Sequence, residues 1–457
     1  MQYLKNIYFY LFLILFSSGV NAKDLAQVPQ SEILDFYSIV SEVSPARISK
    51  DINELANFGT RHTLSDKLSN QRGIGAATRW IYNEFQKISD LCNGCIEVMY
   101  VSDTVSGESR VPHPTEIVNV IAIQRGSERP NDFVMMSGDI DSRVSDPMNS
   151  ISDSPGANDN ASGMAGVLEA ARVLSSREYA SSIIYAGLSG EEQGLFGGQI
   201  FAKHAIKHGW DIKAVLNNDM ISNIEGINGV INNSSVRIFS EGTRANETKE
   251  EALIRRFTGG EVDSPSRNLA RFIKKLGNQY IVNLDIKLIY RLDRYGRGGH
   301  HRPFNEFGIP GVRIMETNEH YDRQHQDVRS ERGQFFGDTM IGVDSEYAAK
   351  LTSLNLITLA QIAGAPAFPT SVELSGAVKA SAKLVWENQN SSSNLMGYKV
   401  YWRETSEAEW TNSRFVGDVD EWEFKNLVID NYFFGVSSIS KDGYETPVVF
   451  PGAAGRF

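Results

Sequence analysis

Only two cysteines, Cys92 and Cys95, occur in 457 residues. No second Cys-x-x-Cys completes a zinc ribbon and no thioredoxin-like pattern surrounds the pair, so in an oxidising compartment a small structural disulfide is expected rather than redox catalysis. Lysine and arginine form no long cluster, and the formal net charge is −11. That balance argues against nucleic acid or an anionic membrane surface as partner. Past the N-terminus, no apolar run is long enough for a membrane span. Hydrophobic residues make up 41% of the chain, which is ample for packed cores and gives no sign of disorder. A chain this long exceeds one ordinary core, so two or three domains are expected.

The first segment reads as an address. Lys5 precedes an unbroken apolar stretch over 7–16, and Val20-Asn-Ala22 has the small residues of a cleavage site. This predicts a signal peptide over 1–22 and an exported protein, periplasmic or secreted.

Helical periodicity over 31–57 is interrupted at Pro45, and a further helix is expected over 75–88. An alternation follows: strands at 96–101, 117–123 and 133–137, helix 162–174, strand 183–188, helix 195–208, strand 214–218. The pattern predicts an α/β fold, a mostly parallel mixed sheet with helices on both faces. Strands at 227–231 and 286–290 are expected around a basic helix, 267–276, whose Arg and Lys side chains read as a solvated face. Strand 312–315 and helix 346–362 close a domain over 23–366. Gly364-Ala-Pro-Ala-Phe-Pro369 is a natural linker. Beyond it, alternating strands at 381–386, 397–402, 421–427 and 432–440 predict a C-terminal β-sandwich over 367–457. Ala382-Lys-Leu-Val-Trp386, Gly397-Tyr-Lys-Val-Tyr-Trp402 and Tyr432 resemble a fibronectin type III domain, with Trp386 in the core and Tyr432 at the tyrosine corner.

Chemistry concentrates where the parallel strands end. Asp139 and Asp141 follow the 133–137 strand, and Asp159 lies in Gly156-Ala-Asn-Asp-Asn-Ala-Ser-Gly163. Glu191 and Glu192 follow the 183–188 strand, Asp219 follows 214–218, and His325 lies in Arg323-Gln-His-Gln-Asp327. Strand C-termini in a parallel sheet share one edge, so these groups converge. Carboxylates there are costly unless a cation compensates them. The set fits a pair of divalent cations bridged by one carboxylate, with another carboxylate free to take a proton from water. Each residue has a plainer reading. Asp159 alone would serve as a helix cap, and His325 alone as a surface residue, with His320 the competing ligand. His204 and His208, four apart without the Glu of HExxH, read as a surface pair; His300 reads as a non-ligand.

The Gly-Ala-Asn-Asp-Asn-Ala-Ser-Gly stretch, Ser189-Gly-Glu-Glu-Gln-Gly-Leu-Phe-Gly197 and Asn217-Asn-Asp-Met220 resemble the M28 family of di-zinc aminopeptidases, starting from Phe58-Gly-Thr-Arg-His62. The resemblance implies two divalent ions, zinc in the family. Asp159 would bridge them, Glu192 and His325 would complete one site, Asp219 would serve the other, and Glu191 would be the general base. It also implies a peptide substrate with a free N-terminus. Gly299-His-His-Arg-Pro-Phe304 falls where the family has Ser-Asp-His, so His301 matches the family His. One position departs. The family has His-x-Asp, a ligand His and an orienting Asp, where this chain has Asp139-Ile-Asp141. With Asp139 as ligand, four carboxylates neutralise two divalent ions, and that site should tilt toward harder ions such as manganese or magnesium. Other M28-type activities, carboxypeptidase and glutaminyl cyclase, and a degenerate peptide-binding protein are the alternatives.

Overall fold

The computed structural model describes residues 36–388 and 394–457. The expected signal peptide and the first residues of the first expected helix lie outside the described residues.

One sheet is built from β1 (Ile96–Val105), β2 (Thr115–Gln124), β3 (Arg129–Asp139), β4 (Ser181–Leu188), β5 (Asp211–Asn218), β6 (Ser235–Ser240), β7 (Asp285–Ile289) and β8 (Gly311–Glu316). Its order is β1-β2-β4-β3-β5-β8-β6-β7. The central β4-β3-β5-β8 strands run parallel, and antiparallel pairs flank them. This is the mixed sheet that the alternation of apolar runs predicts.

The α-helices among the described residues are α1 (Phe36–Glu42), α2 (Pro45–Ala56), α3 (Ile74–Leu91), α4 (Gly163–Leu174), α5 (Glu191–Gly194), α6 (Phe196–Lys207), α7 (Lys249–Thr258), α8 (Pro265–Tyr280), α9 (His301–Glu306) and α10 (Ser345–Gly364). Alternate residues of a strand face opposite sides, so the apolar run of β3 is buried twice over. Phe133 and Met135 pack with Phe201 and Ala205 of α6 and Phe304 of α9. Val134 and Met136 join the larger core formed with α2, α4 and α10. Pro45 parts α1 from α2, as the sequence predicts. It stands at the first position of α2, with the Ser44 side chain capping Arg47, where its missing N–H costs nothing.

Three sequence expectations change. The 227–231 segment is a turn around Asn228-Gly229, where Gly229 has φ +74° and the Gly226 amide bonds the Val230 carbonyl. Asn-Gly favours that geometry, and the strand falls later, at β6. The helix expected over 195–208 is preceded by the short α5, because Leu195 adopts φ +62° between α5 and α6. Helix α7 was not anticipated, although Thr248 and Glu251 form a capping box at its start.

After a small hairpin, β9 (Arg329–Glu331) with β10 (Gln334–Phe336), the strands of the C-terminal region among the described residues are β11 (Thr370–Ser375), β12 (Ala382–Glu387), β13 (Leu395–Glu404), β14 (Asn412–Gly417), β15 (Glu421–Phe424) and β16 (Tyr432–Ser440). They form two antiparallel sheets, β11-β12-β15 and β14-β13-β16. Trp386 is buried with its ring 5.3 Å from that of Tyr398, and Phe424 meets Phe434 at 4.6 Å, so the two sheets share one core. Tyr432 opens β16, half-buried.

The basic helix is corrected. Arg267 and Arg271 of α8 are 2% and 4% exposed rather than solvated, because Arg267 lies over the Tyr290 ring and bonds Ser240, and Arg271 is met by the C-terminal region at the Ala408 carbonyl. Arg271 pairs with Asp263 at 2.8 Å, and Arg403 of β13 grips the same carboxylate at 2.8 and 2.9 Å. Lys275 reaches Glu445 at 2.7 Å.

Candidate metal centre

The parallel strands deliver their C-terminal ends to one edge. Asp139 ends β3, Asp219 follows β5, and the Glu191-Glu192 turn follows β4 through Gly190, whose φ of +74° suits glycine. Asp141 fixes that turn. Its carboxylate accepts the amides of Glu191 and Glu192, both at 3.1 Å, and the Thr63 hydroxyl at 2.9 Å. It therefore orients the Glu-Glu backbone rather than a ligand at position 139. Burial, reinforced by Glu192, pushes Asp141 up to about 7.

Asp159 sits in a non-helical turn ahead of α4 and does not cap that helix. Its amide and that of Asn158 both donate to Asp338, at 2.7 and 2.9 Å. The Asp159 carboxylate accepts from Gln324 at 3.1 Å and lies 2.9 Å from Nε2 of His325. Nε2 of His325 is also 2.9 Å from Glu192. Ligand-type atoms of Asp159, Glu192 and His325 all lie within 4.8 Å of one another, the one such group among the described residues. Burial opposes the charge on Asp159, but His325 and Gln324 overcome it and hold this carboxyl well below the usual range. Two carboxylate oxygens and one imidazole nitrogen converging on one point suit a divalent ion such as zinc.

The other expected ligands are engaged elsewhere. Asp139 bonds Nδ1 of His300 at 2.6 Å and accepts from Asn160 at 2.7 Å. Asp219 lies 2.7 Å from Nη2 of Arg313. Burial raises both carboxyls, Asp139 to about 8 and Asp219 to about 7, although Asn160 and Arg313 oppose the rise. His301 is buried and donates from Nε2 to the Leu292 carbonyl at 2.9 Å, away from the three-ligand group. His320 is not in the group, and His204 and His208 stack on each other 4.0 Å apart beside Trp210. Cys92 and Cys95 are joined by a disulfide.

Glu191 and Glu192 diverge as adjacent side chains must. Glu192 turns to Arg143 at 2.7 Å and to His325, while Glu191 lines a cavity of about 500 Å³ beside Asp159, Asp219 and His325. Burial, then the nearby Glu192 and Asp219 carboxylates, raise Glu191 well above the ordinary value.

The model of peptidase family M28 matches residues 119–332. A protein of Leptosphaeria maculans named "probable zinc metalloprotease" is 39% identical over 424 residues, covering 93% of this chain and 97% of that one. This chain belongs to peptidase family M28. A relative of the same name from Pyricularia oryzae is 38% identical over 441 residues, covering 95% and 87% of the two chains. The fold of this M28 chain is similar to that of the Legionella pneumophila LapA aminopeptidase, with a TM-score of 0.53 and 17% identity over 72% of this chain and 74% of that one. It is also similar to LapB of the same organism, at 0.52 and 18% over 73% and 77%.

Four residues of the M28 centre escaped the sequence reading. Arg143 and Gln324 touch its ligands, and Asp338 holds the Asp159 backbone. Arg313 is the one with a legible signal, since a charge inside the apolar run Gly311-Val-Arg-Ile-Met315 is rarely buried unpaired. Arg61 braces the centre as well: its guanidinium donates to the carbonyls of Leu55, Ile140, Pro155 and Gly156, tying the loop before Asp159 to the end of β3.

Proposed function

We propose that this M28 chain is an exported metallopeptidase that releases N-terminal residues from peptides, using zinc held by Asp159, Glu192 and His325. In this reading residues 23–366 are the catalytic domain, and 367–457 are a fibronectin type III-like module that supports it through α8. The convergence of those three ligands beside Glu191 in an open cavity carries the proposal.

A zinc ion there supplies Lewis acidity and makes water a better nucleophile at neutral pH. Glu191 is outside the three-ligand group yet lines the same cavity, so its carboxylate takes the proton of the attacking water and returns it to the leaving amine. Asp141 holds that base in position through the Glu191 amide. The raised proton affinity of a buried carboxyl matches a group that both accepts and donates. Retention of this base beside intact ligands speaks against a degenerate binding protein.

The cavity wall favours a second reading within the same chemistry. Arg110, Arg143, Arg294, Arg297 and Arg302 face Asp159, Glu191, Glu192, Asp219 and Glu306. Five cations balance five carboxylates, so a divalent ion leaves the cavity positive and attractive to a substrate carboxylate, as in a carboxypeptidase.

Aminoacyl chromogenic substrates set against N-blocked peptides with a free carboxylate separate the two. Cleavage confined to the N-blocked peptides overturns the aminopeptidase reading. Glu191→Gln should lower hydrolysis by ~10²-fold or more with bound zinc unchanged; undiminished hydrolysis would overturn its role as base.

A further inference from the structure

We propose that the buried guanidinium of Arg313 takes the place of a second metal ion, so that the centre binds one ion only, at Asp159, Glu192 and His325. This rests on the metallopeptidase reading above.

A second ion sharing Asp159 would draw on Asp219 and Asp139, and neither carboxylate is free for it. Nη2 of Arg313 is 2.7 Å from Oδ2 of Asp219. Arg313 is fully buried and is anchored from its far side, where Nη1 donates to the Gly298 carbonyl at 2.7 Å and pairs with Asp293 at 3.3 Å. Asp293 is itself held in place, since His301 bonds the neighbouring Leu292 carbonyl. Arg294 adds a second guanidinium 3.9 Å from Asp219. Both Asp139 oxygens are committed, to His300 and to Asn160.

What remains is Oδ1 of Asp219, buried without a protein partner. One such oxygen beside the Asp159 carboxylate falls short of the three protein ligands a zinc site needs. An ion there would also lie next to guanidinium groups that cannot lose their charge, and like charges at such range repel strongly in a buried site. The fixed cation does the compensating that an exchangeable ion would otherwise do. Arg313 is then a positioning residue, which holds Asp219 in place at the cavity wall.

Zinc per chain, measured on the full-length protein after dialysis in zinc-buffered solution, tests this. The wild type should hold one equivalent, and Asp219→Asn should hold one as well. Arg313→Met combined with Asp139→His, which restores a third ligand beside Asp159 and Asp219, should take up a second, and with cobalt(II) in place of zinc it should show magnetic coupling between two ions that the wild type lacks. Two tightly held ions in the wild type overturn the proposal, as does loss of zinc from Asp219→Asn. If that double variant does not fold, those two stoichiometries still decide. Zinc retained by Asp159→Asn would sink the three-ligand site of the proposed function instead, which is a distinguishable failure.

Discussion

Nδ1 of His300 lies 2.6 Å from Oδ1 of Asp139, with both side chains buried. Where the M28 resemblance has His and Asp at these two positions, this chain has Asp and His. In this chain the pair brings one imidazole donor to one carboxylate acceptor. Asp139→His alone should therefore cost roughly 3 kcal/mol, since it leaves two imidazoles facing each other in a buried site. Adding His300→Asp should recover most of that loss. Urea denaturation of the two single variants and the double supplies the cycle, and simple additivity would show that the pair is not coupled.

Arg143 faces the imidazole that is proposed to hold the metal. Its Nη2 is 2.6 Å from Nδ1 of His325, and a guanidinium only donates, so in the neutral imidazole this contact favours the hydrogen on Nε2. Ligation needs the opposite tautomer, with the hydrogen on Nδ1. Arg143→Gln offers an acceptor carbonyl in that place and should tighten zinc binding by ~10-fold. Competition with a chelating dye measures it; weaker binding would show that the grip of Arg143 on Glu192 matters more.

The contact between α8 and the C-terminal sheets centres on Asp263, fully buried between Arg271 and Arg403. Asp263→Ala strands two guanidinium groups and should lower stability by about 3–5 kcal/mol. Isothermal denaturation should register this as an early loss of the contact. A change below 1 kcal/mol would mean that water replaces the carboxylate at little cost.

Glu445 gives the same contact a pH dependence. Burial alone would raise its carboxyl, but Lys275 and Lys399 outweigh burial and hold it down to about 2 against an ordinary 4.5. A carboxyl depressed in the folded state contributes stability above pH 4.5 and loses it as pH falls toward about 2. Wild type should therefore exceed Glu445→Gln in stability at neutral pH, with the gap closing across that acid window. Lys275 keeps 40% of its side chain exposed, so salt should narrow the gap as well. A gap independent of pH would assign the effect to packing.

The strand and turn pattern was readable because burial on both faces of a parallel strand leaves an unbroken apolar run, as in Phe133-Val-Met-Met136. Charges at the ends of such runs were readable for the same reason. The solvated reading of α8 failed because nothing local distinguishes an arginine facing water from one facing a distant carboxylate. Arg271 and Arg403 meet at Asp263 across more than a hundred residues of chain. The 227–231 strand failed on turn chemistry visible in Asn228-Gly229 but outvoted by the flanking isoleucines.

By itself, the sequence determined the family, the α/β alternation and the short list of acidic groups at strand ends, since motif spacing and apolar periodicity are properties of neighbouring residues. Only the tertiary structure decided which of those acids meet an imidazole and which meet a guanidinium. Ion pairing acts over a few ångströms in space, and Arg313 and Asp219 become neighbours only once β5 and β8 lie side by side.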